Sequence, residues 1–100
     1  MNIDFLTLIR NALNSNNIDI IDNSKVTLKD EEVFIKIVVF SKLQRNEYRN
    51  INKIIKREYD TVSNVKIKKD KNMDIFEHTY YIFINFNREE DKNRFIMENA

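Results

Sequence analysis

The sequence predicts an α+β fold: an antiparallel sheet of four or so strands with helices on one face and an extra N-terminal helix, in the order α-β(β)-β-α-β-β-α. Three observations predict it. Residues 33–40 (VFIKIVVF) and 76–86 are rich in branched and aromatic side chains. Residues 62–69 (VSNVKIKK) alternate at the period of a half-buried strand. Residues 3–14 and 41–60 repeat apolar side chains at the period of a helix.

Each element follows from its own residues. Ile3, Leu6, Ile9 and Leu13 share a helix face, widened by Phe5, Leu8 and Ala12, with Asn2 placed to cap it. Asn14, Asn16 and Asn17 break that helix, and residues 18–22 and 25–29 are short strands before the polar turn Asp30, Glu31, Glu32. After the strand 33–40, Ser41 and Gln44 form a capping box for a helix that carries Tyr48, Ile51, Ile54, Ile55 and Tyr59 inward and ends near Asp60. The strand 62–69, a turn at residues 71–74 and the long strand 76–86 follow. Asn87 and Glu90 then form a second box, opening a helix with Phe95 and Ile96 on its inner side.

With 100 residues, 42% of them hydrophobic, the chain is expected to form a single domain over 1–100. It has no cysteine, so packing and not disulfides must hold it together. The longest apolar runs are far shorter than the roughly 20 residues of a membrane helix, and the N-terminus lacks the basic, apolar pattern of a signal peptide. A cytoplasmic protein without membrane contact, in its own cell or in a host's, is the expectation. Glycine and proline are both absent, while Asn, Ile and Lys supply 15, 15 and 11 residues, a bias that follows AT-rich codons. Positions needing positive φ must therefore use Asn or Asp, and Asn16, Asn17, Asp30, Asn64 and Asn72 are the candidates. Net charge is only +1, but residues 42–71 carry +6 between flanks of −2 and −3, enough to attract phosphate.

The core of this order, strand, helix, strand, strand, helix, is the βαββα part of a ferredoxin-like sandwich. A right-handed crossover makes strand 33–40 parallel to 62–69, with 76–86 between them. The usual fourth strand does not follow the last helix, and the segment 18–29, hairpinned to 33–40, is a candidate for that edge, which the sequence does not assign. Alternation then assigns faces. Val33, Ile35, Ile37, Val39, Val65, Ile67, Tyr80, Ile82, Ile84 and Phe86 should lie under the helices. The opposite face gathers Phe34, Lys36, Val38, Phe40, Asn64, Lys66, Lys68, Thr79, Tyr81, Phe83 and Asn85, a mixture of rings, cations and amides.

These residues resemble the RNA recognition motif family over residues 33–98. VFIKIV is similar to its first short motif, with Ile37 in the Asn place, and TYYIFINF to its octamer. Thr79 stands where the octamer opens on a basic residue, and Tyr80 and Ile82 stand where it has small ones. The resemblance implies an RRM-like, ferredoxin-like domain in which Phe34, Tyr81 and Phe83 stack on RNA bases. Lys36, Lys66, Lys68, Lys69 and Lys71 would then meet phosphates and Asn85 would complete the ligand-binding face. The alternative is a protein-protein interaction module whose partner, or second copy in a homodimer, covers the same rings. A small viral or mobile-element inhibitor of a host nucleoprotein defence complex would be of this kind.

Enzyme chemistry is not expected. Without glycine there is no P-loop, dinucleotide fingerprint or nucleophile elbow. His78 is the one histidine, which leaves no catalytic triad signature and none of the common zinc sites. The carboxylates of 30–32 read as a turn, and those of 89–91 as the electrostatically favoured start of a helix. No catalytic residue, metal or cofactor is therefore expected. The basic residues Arg45, Arg49, Lys53, Lys56 and Arg57 are read as the solvent side of their helix, with partner docking the other reading.

Overall fold

A computed structural model describes residues 4–71 and 74–99. In chain order the elements are α1 (Phe5–Asn14), β1 (Ile20–Asn23), β2 (Thr27–Lys29), β3 (Glu32–Val39), α2 (Arg45–Glu58), β4 (Val62–Lys69), β5 (His78–Phe86) and α3 (Glu89–Asn99). The sheet order is β1-β3-β5-β4, with β2 also paired to β3. All pairings are antiparallel, so β3 and β4 run parallel on either side of β5. The architecture is a ferredoxin-like α+β sandwich. Its edge beside β3 comes from the segment preceding that strand, the candidate the sequence leaves open. No helix among the described residues is long and apolar enough to cross a membrane.

That edge is shared by two short strands. β1 pairs with the C-terminal half of β3 and β2 with its N-terminal half. Ser24 bridges the break between them: its N–H donates to the Lys36 carbonyl, and its Oγ accepts from the Lys36 N–H, each at 2.9 Å. The ladder therefore stays satisfied where the strand is interrupted.

One apolar face of the sheet carries the helices. Val33, Ile35, Ile37, Val39, Val65, Tyr80, Ile82 and Ile84 are buried, and Ile67 and Phe86 pack against the same core. From α1 come Phe5, Ile9 and Leu13, from α2 Ile51 and Ile55, and from α3 Phe95. Phe5 meets Phe95 and Tyr59 edge to face at 5.2 and 6.3 Å, and so clamps all three helices near one end of the sheet. Tyr80 is wholly buried, and its hydroxyl accepts the Leu43 N–H at 2.9 Å. That bond ties β5 to the connection entering α2 and gives a buried phenol the partner it needs.

The helix ends correct the sequence reading in two places, at α2 and α3. Asn2 and Ile3 lie outside the described residues; the first α1 amide, Phe5 N–H, donates to Asn99 Oδ1 of α3. The box expected at Ser41 and Gln44 is moved three residues on: Gln44 is the N-cap of α2, and its N–H donates to Glu47 Oε1 at 2.7 Å. Leu43, just before this cap, is buried, and its N–H is taken by the Tyr80 hydroxyl rather than by a helical carbonyl. Glu47 also accepts from Asn16 Nδ2, pinning the end of α1 to the start of α2. At α3 the box of Asn87 and Glu90 gives way to Arg88, whose carbonyl accepts from the Asp91 and Lys92 amides. Its guanidinium reaches Glu90 at 2.9 Å and Asp91 at 3.4 Å.

Left-handed backbone falls where the missing glycines would have served. Asn17 (φ 62°) closes α1 in a Schellman arrangement, with Ile18 N–H bonded to the Leu13 carbonyl and Asn17 N–H to that of Asn14. Asp30 and Glu31 (φ 52° and 65°) make the two-residue turn joining β2 to β3, which has the signature of a type I′ hairpin. Asn16 and Asn64 do not adopt positive φ, Asn72 lies outside the described residues, and Glu31 was not foreseen.

Glu31 is the costly member, because a long side chain in the left-handed region carries about 1 to 2 kcal/mol of steric penalty. Glu31→Gly should stabilise the fold by about 1 kcal/mol, raising Tm by roughly 4 to 8 °C, while Glu32→Gly within β3 should lower it. Thermal unfolding of the two variants checks this; equal destabilisation would contradict the hairpin.

Candidate ligand-binding face

Register places the candidate residues in two rows across the open side of the sheet. In one row Phe34 of β3 is opposite Phe83 of β5, which is opposite Lys66 of β4. In the next, Lys36, Tyr81 and Lys68 line up in the same way. Cross-strand neighbours share a face, so all six side chains project together, away from the helices. Asn85, paired with Asn64, extends the face beyond the Phe83 row. All seven residues expected to form the ligand-binding face are therefore brought onto one surface.

α1 does not cover this surface. Its apolar stripe packs into the core on the opposite side of the sheet. Phe34, Lys36, Tyr81 and Phe83 are half-buried, and Lys66, Lys68 and Asn85 are exposed. The rings pack against one another. Phe34 lies 5.3 Å from Phe83 and 6.0 Å from Tyr81, and Tyr81 lies 6.5 Å from Phe83, all tilted or edge to face. The Lys68 ammonium sits 5.4 Å from the Phe83 ring centre, within cation–π range. The face is thus a triangle of rings bordered by cations on both neighbouring strands.

Asp70 was not recognised from the sequence as part of this face. It follows the last residue of β4, where its N–H donates to the Thr79 carbonyl at 2.8 Å. Its Oδ2 accepts the Tyr81 hydroxyl at 3.3 Å, which holds the ring in place. Burial first, and then the Asp70 charge and that hydrogen bond, push the Tyr81 phenol above its ordinary value of 10.0.

Other expected members fall elsewhere. Lys69 is paired with buried Tyr80, so it projects on the helix side of the β4 edge. Val38 and Thr79 are paired on the open side but are only 6% and 8% exposed. Thr79 therefore offers little surface for contact on this face. Phe40, at 62%, projects past the end of β3. Ile75 and Phe76 are exposed just before β5, in a loop whose Phe76 and Glu77 amides donate to Asp74 Oδ1.

His78 is opposite Val39, and its Nδ1 is enclosed without a hydrogen-bond partner among the described residues. Among the described residues no group of three His, Asp or Glu side chains is placed to hold a metal ion. A cleft of about 230 Å³ lined by Asp4, Leu6, Val26 and Ile35 lies between α1 and the edge at β2, apart from the rings. Comparison of the chain with protein-family models, with curated proteins and with solved structures finds no match.

The Tyr81 phenol binds its proton more tightly folded than unfolded, so this contact stabilises the fold below pH 10.0 and is lost as pH rises through the folded value. Asp70→Asn removes the charge but not the burial. The Tyr81 titration midpoint, followed by NMR of its ring carbon, should fall only part of the way to 10.0; an unmoved or rising midpoint would contradict the contact.

Proposed function

We propose that this chain is a small non-enzymatic binding module that holds single-stranded RNA on the open face of its sheet. The observation that carries the reading is the triangle of Phe34, Tyr81 and Phe83, left uncovered by any helix and bordered by Lys36, Lys66 and Lys68. A flat, open face suits an extended strand better than a compact small molecule, whose sites are concave. Rings supply stacking to bases of any identity, and cations one residue away meet the backbone between them.

The resemblance to the RNA recognition motif supports the same reading at the three ring positions. Where the octamer's opening basic residue is replaced by buried Thr79, Lys36 and Lys68 on either side of Tyr81 supply cations instead. The large residues in the small-residue places, Tyr80 and Ile82, are wholly buried under the helices and leave the open face clear.

A protein partner is the second reading. Phe40, Phe76 and Ile75 are 62%, 70% and 77% exposed around one end of the sheet, where β5 begins opposite Val39. Contiguous exposed apolar side chains are characteristic of interfaces between proteins. A homodimer, or docking on a host nucleoprotein complex, would use them.

Each of Phe34→Ala, Tyr81→Ala and Phe83→Ala should weaken binding to a single-stranded oligoribonucleotide by about 1 to 3 kcal/mol, roughly 5- to 150-fold. Fluorescence anisotropy measures this, with thermal unfolding to show that each variant folds. Unchanged affinity in all three would overturn the reading. Loss of a dimer in sedimentation on replacing Phe40 and Phe76, with no RNA bound by the parent, would favour the second.

A further inference from the structure

The cations of the open face do not stop at the edge of the sheet. β4 is the terminal strand, and Lys66 and Lys68 project from it on the ring side. Lys69 projects on the other side of the same strand, beside Tyr80. The Tyr80 ring in turn lies 6.1 Å from that of Tyr48 in α2. Lys69 is thereby placed next to the flank of α2 that carries Tyr48.

Helical spacing says which other residues share that flank. Arg45, three before Tyr48, stands beside it on the helix surface, and Arg49 and Lys56, at i+4 and i+11 from Arg45, continue the row of Arg45 along the adjoining solvent side. The opposite flank faces α1: Asn50, Lys53, Ile54 and Arg57 line a cleft with Asn11 and Ser15. The basic residues of α2 therefore spread from Arg45, on the side nearer the β4 edge, through Arg49 on the solvent side, to Lys53 and Arg57 beside α1.

The group at the β4 edge, Arg45, Arg49, Lys66, Lys68 and Lys69, is exposed and unpaired among the described residues. Asp70, next to Lys69, keeps its charge while accepting the Tyr81 hydroxyl, and Glu47, between Arg45 and Arg49 in sequence, is buried and bonded to Gln44 and Asn16, so the band is net positive. A band of cations thus runs from the rings, over the β4 edge and onto α2, where Arg45 and Arg49 are one turn or about 6 Å apart along the axis.

We infer that the RNA strand held on the rings continues round the β4 edge, so that its phosphates reach Arg45 and Arg49 on the helix side of the domain. This rests on the RNA-binding reading above and extends it. The sheet reads bases, and the band adds length and salt dependence without reading sequence.

The test compares unstructured oligoribonucleotides of about four and about twelve residues, a short and a long site for a domain of this size. The parent chain is set against Arg45→Gln with Arg49→Gln, and against Lys53→Gln with Arg57→Gln as a charge-matched control. The parent should bind the longer strand more tightly than the shorter. The Arg45, Arg49 variant should lose most of that gain, keep its affinity for the shorter strand, and lower the slope of log K against log salt by about 1.4. The Lys53, Arg57 variant should behave as the parent.

Equal binding of both lengths by the parent, or equal losses in the two variants, would overturn the edge path while leaving the ring face intact. Absence of binding to either length by the parent would overturn the ring face and this inference together. All four substituted residues carry no core contact, and matching thermal unfolding curves verify that the variants fold.

Discussion

The register between β3 and β5, in which Phe34 is opposite Phe83 and Ile35 opposite Ile82, is the constraint on which the rest depends. Side chains alternate with a period of two, so one residue of slip would send Tyr80, Ile82 and Ile84 into water and the rings under the helices. The slip is prevented by what the helix side has to bury. Tyr80 is held by the Leu43 amide, and Ile35, Ile37 and Ile82 are enclosed by all three helices. The open face is the necessary complement of that burial: whatever occupies the odd positions of β3 in the core, Phe34 and Lys36 must stand on the other side.

The second consequence concerns the edges. A sheet of this order exposes β4 on one side and the broken β1 and β2 strand on the other. The β1 and β2 edge is short and interrupted at Ser24. The β4 edge is long, but lysines stand along it at 66, 68 and 69. Both devices discourage pairing with another sheet. On β4 the same lysines border the ring triangle, so the residue type that protects this edge also supplies the cations on which the proposed RNA path rests.

Most of the face assignment was legible in the sequence because alternation over eight- and nine-residue strands is a strong signal. Val33 to Val39 and Tyr80 to Phe86 declare their inner halves without reference to any partner. The edge strand at 18–29 was legible only as a candidate, a hydrophobic remainder needing a place in the sheet. What was not legible depended on contacts distant in the chain. The α2 cap lies past Leu43, whose side chain is in the core and whose amide is bonded by Tyr80, 37 residues later. Asp70 joined the site only when pairing brought the end of β4 beside Tyr81. Glu31 took a left-handed conformation because a two-residue hairpin needs two such residues and no glycine was available. Lys69 is a different case: alternation from Val65 and Ile67 already assigned it to the helix side, away from the rings.

The central claim is that the ring face is where the strand lies. An amide NMR titration with a single-stranded oligoribonucleotide tests it most directly, because it reports every residue at once without any substitution. The account predicts that the largest shifts fall on Phe34, Lys36, Lys66, Lys68, Tyr81 and Phe83, with α3 and the inner face of α1 unmoved. Shifts confined to the helices, or to Phe40, Ile75 and Phe76 while the rings stay silent, would contradict it.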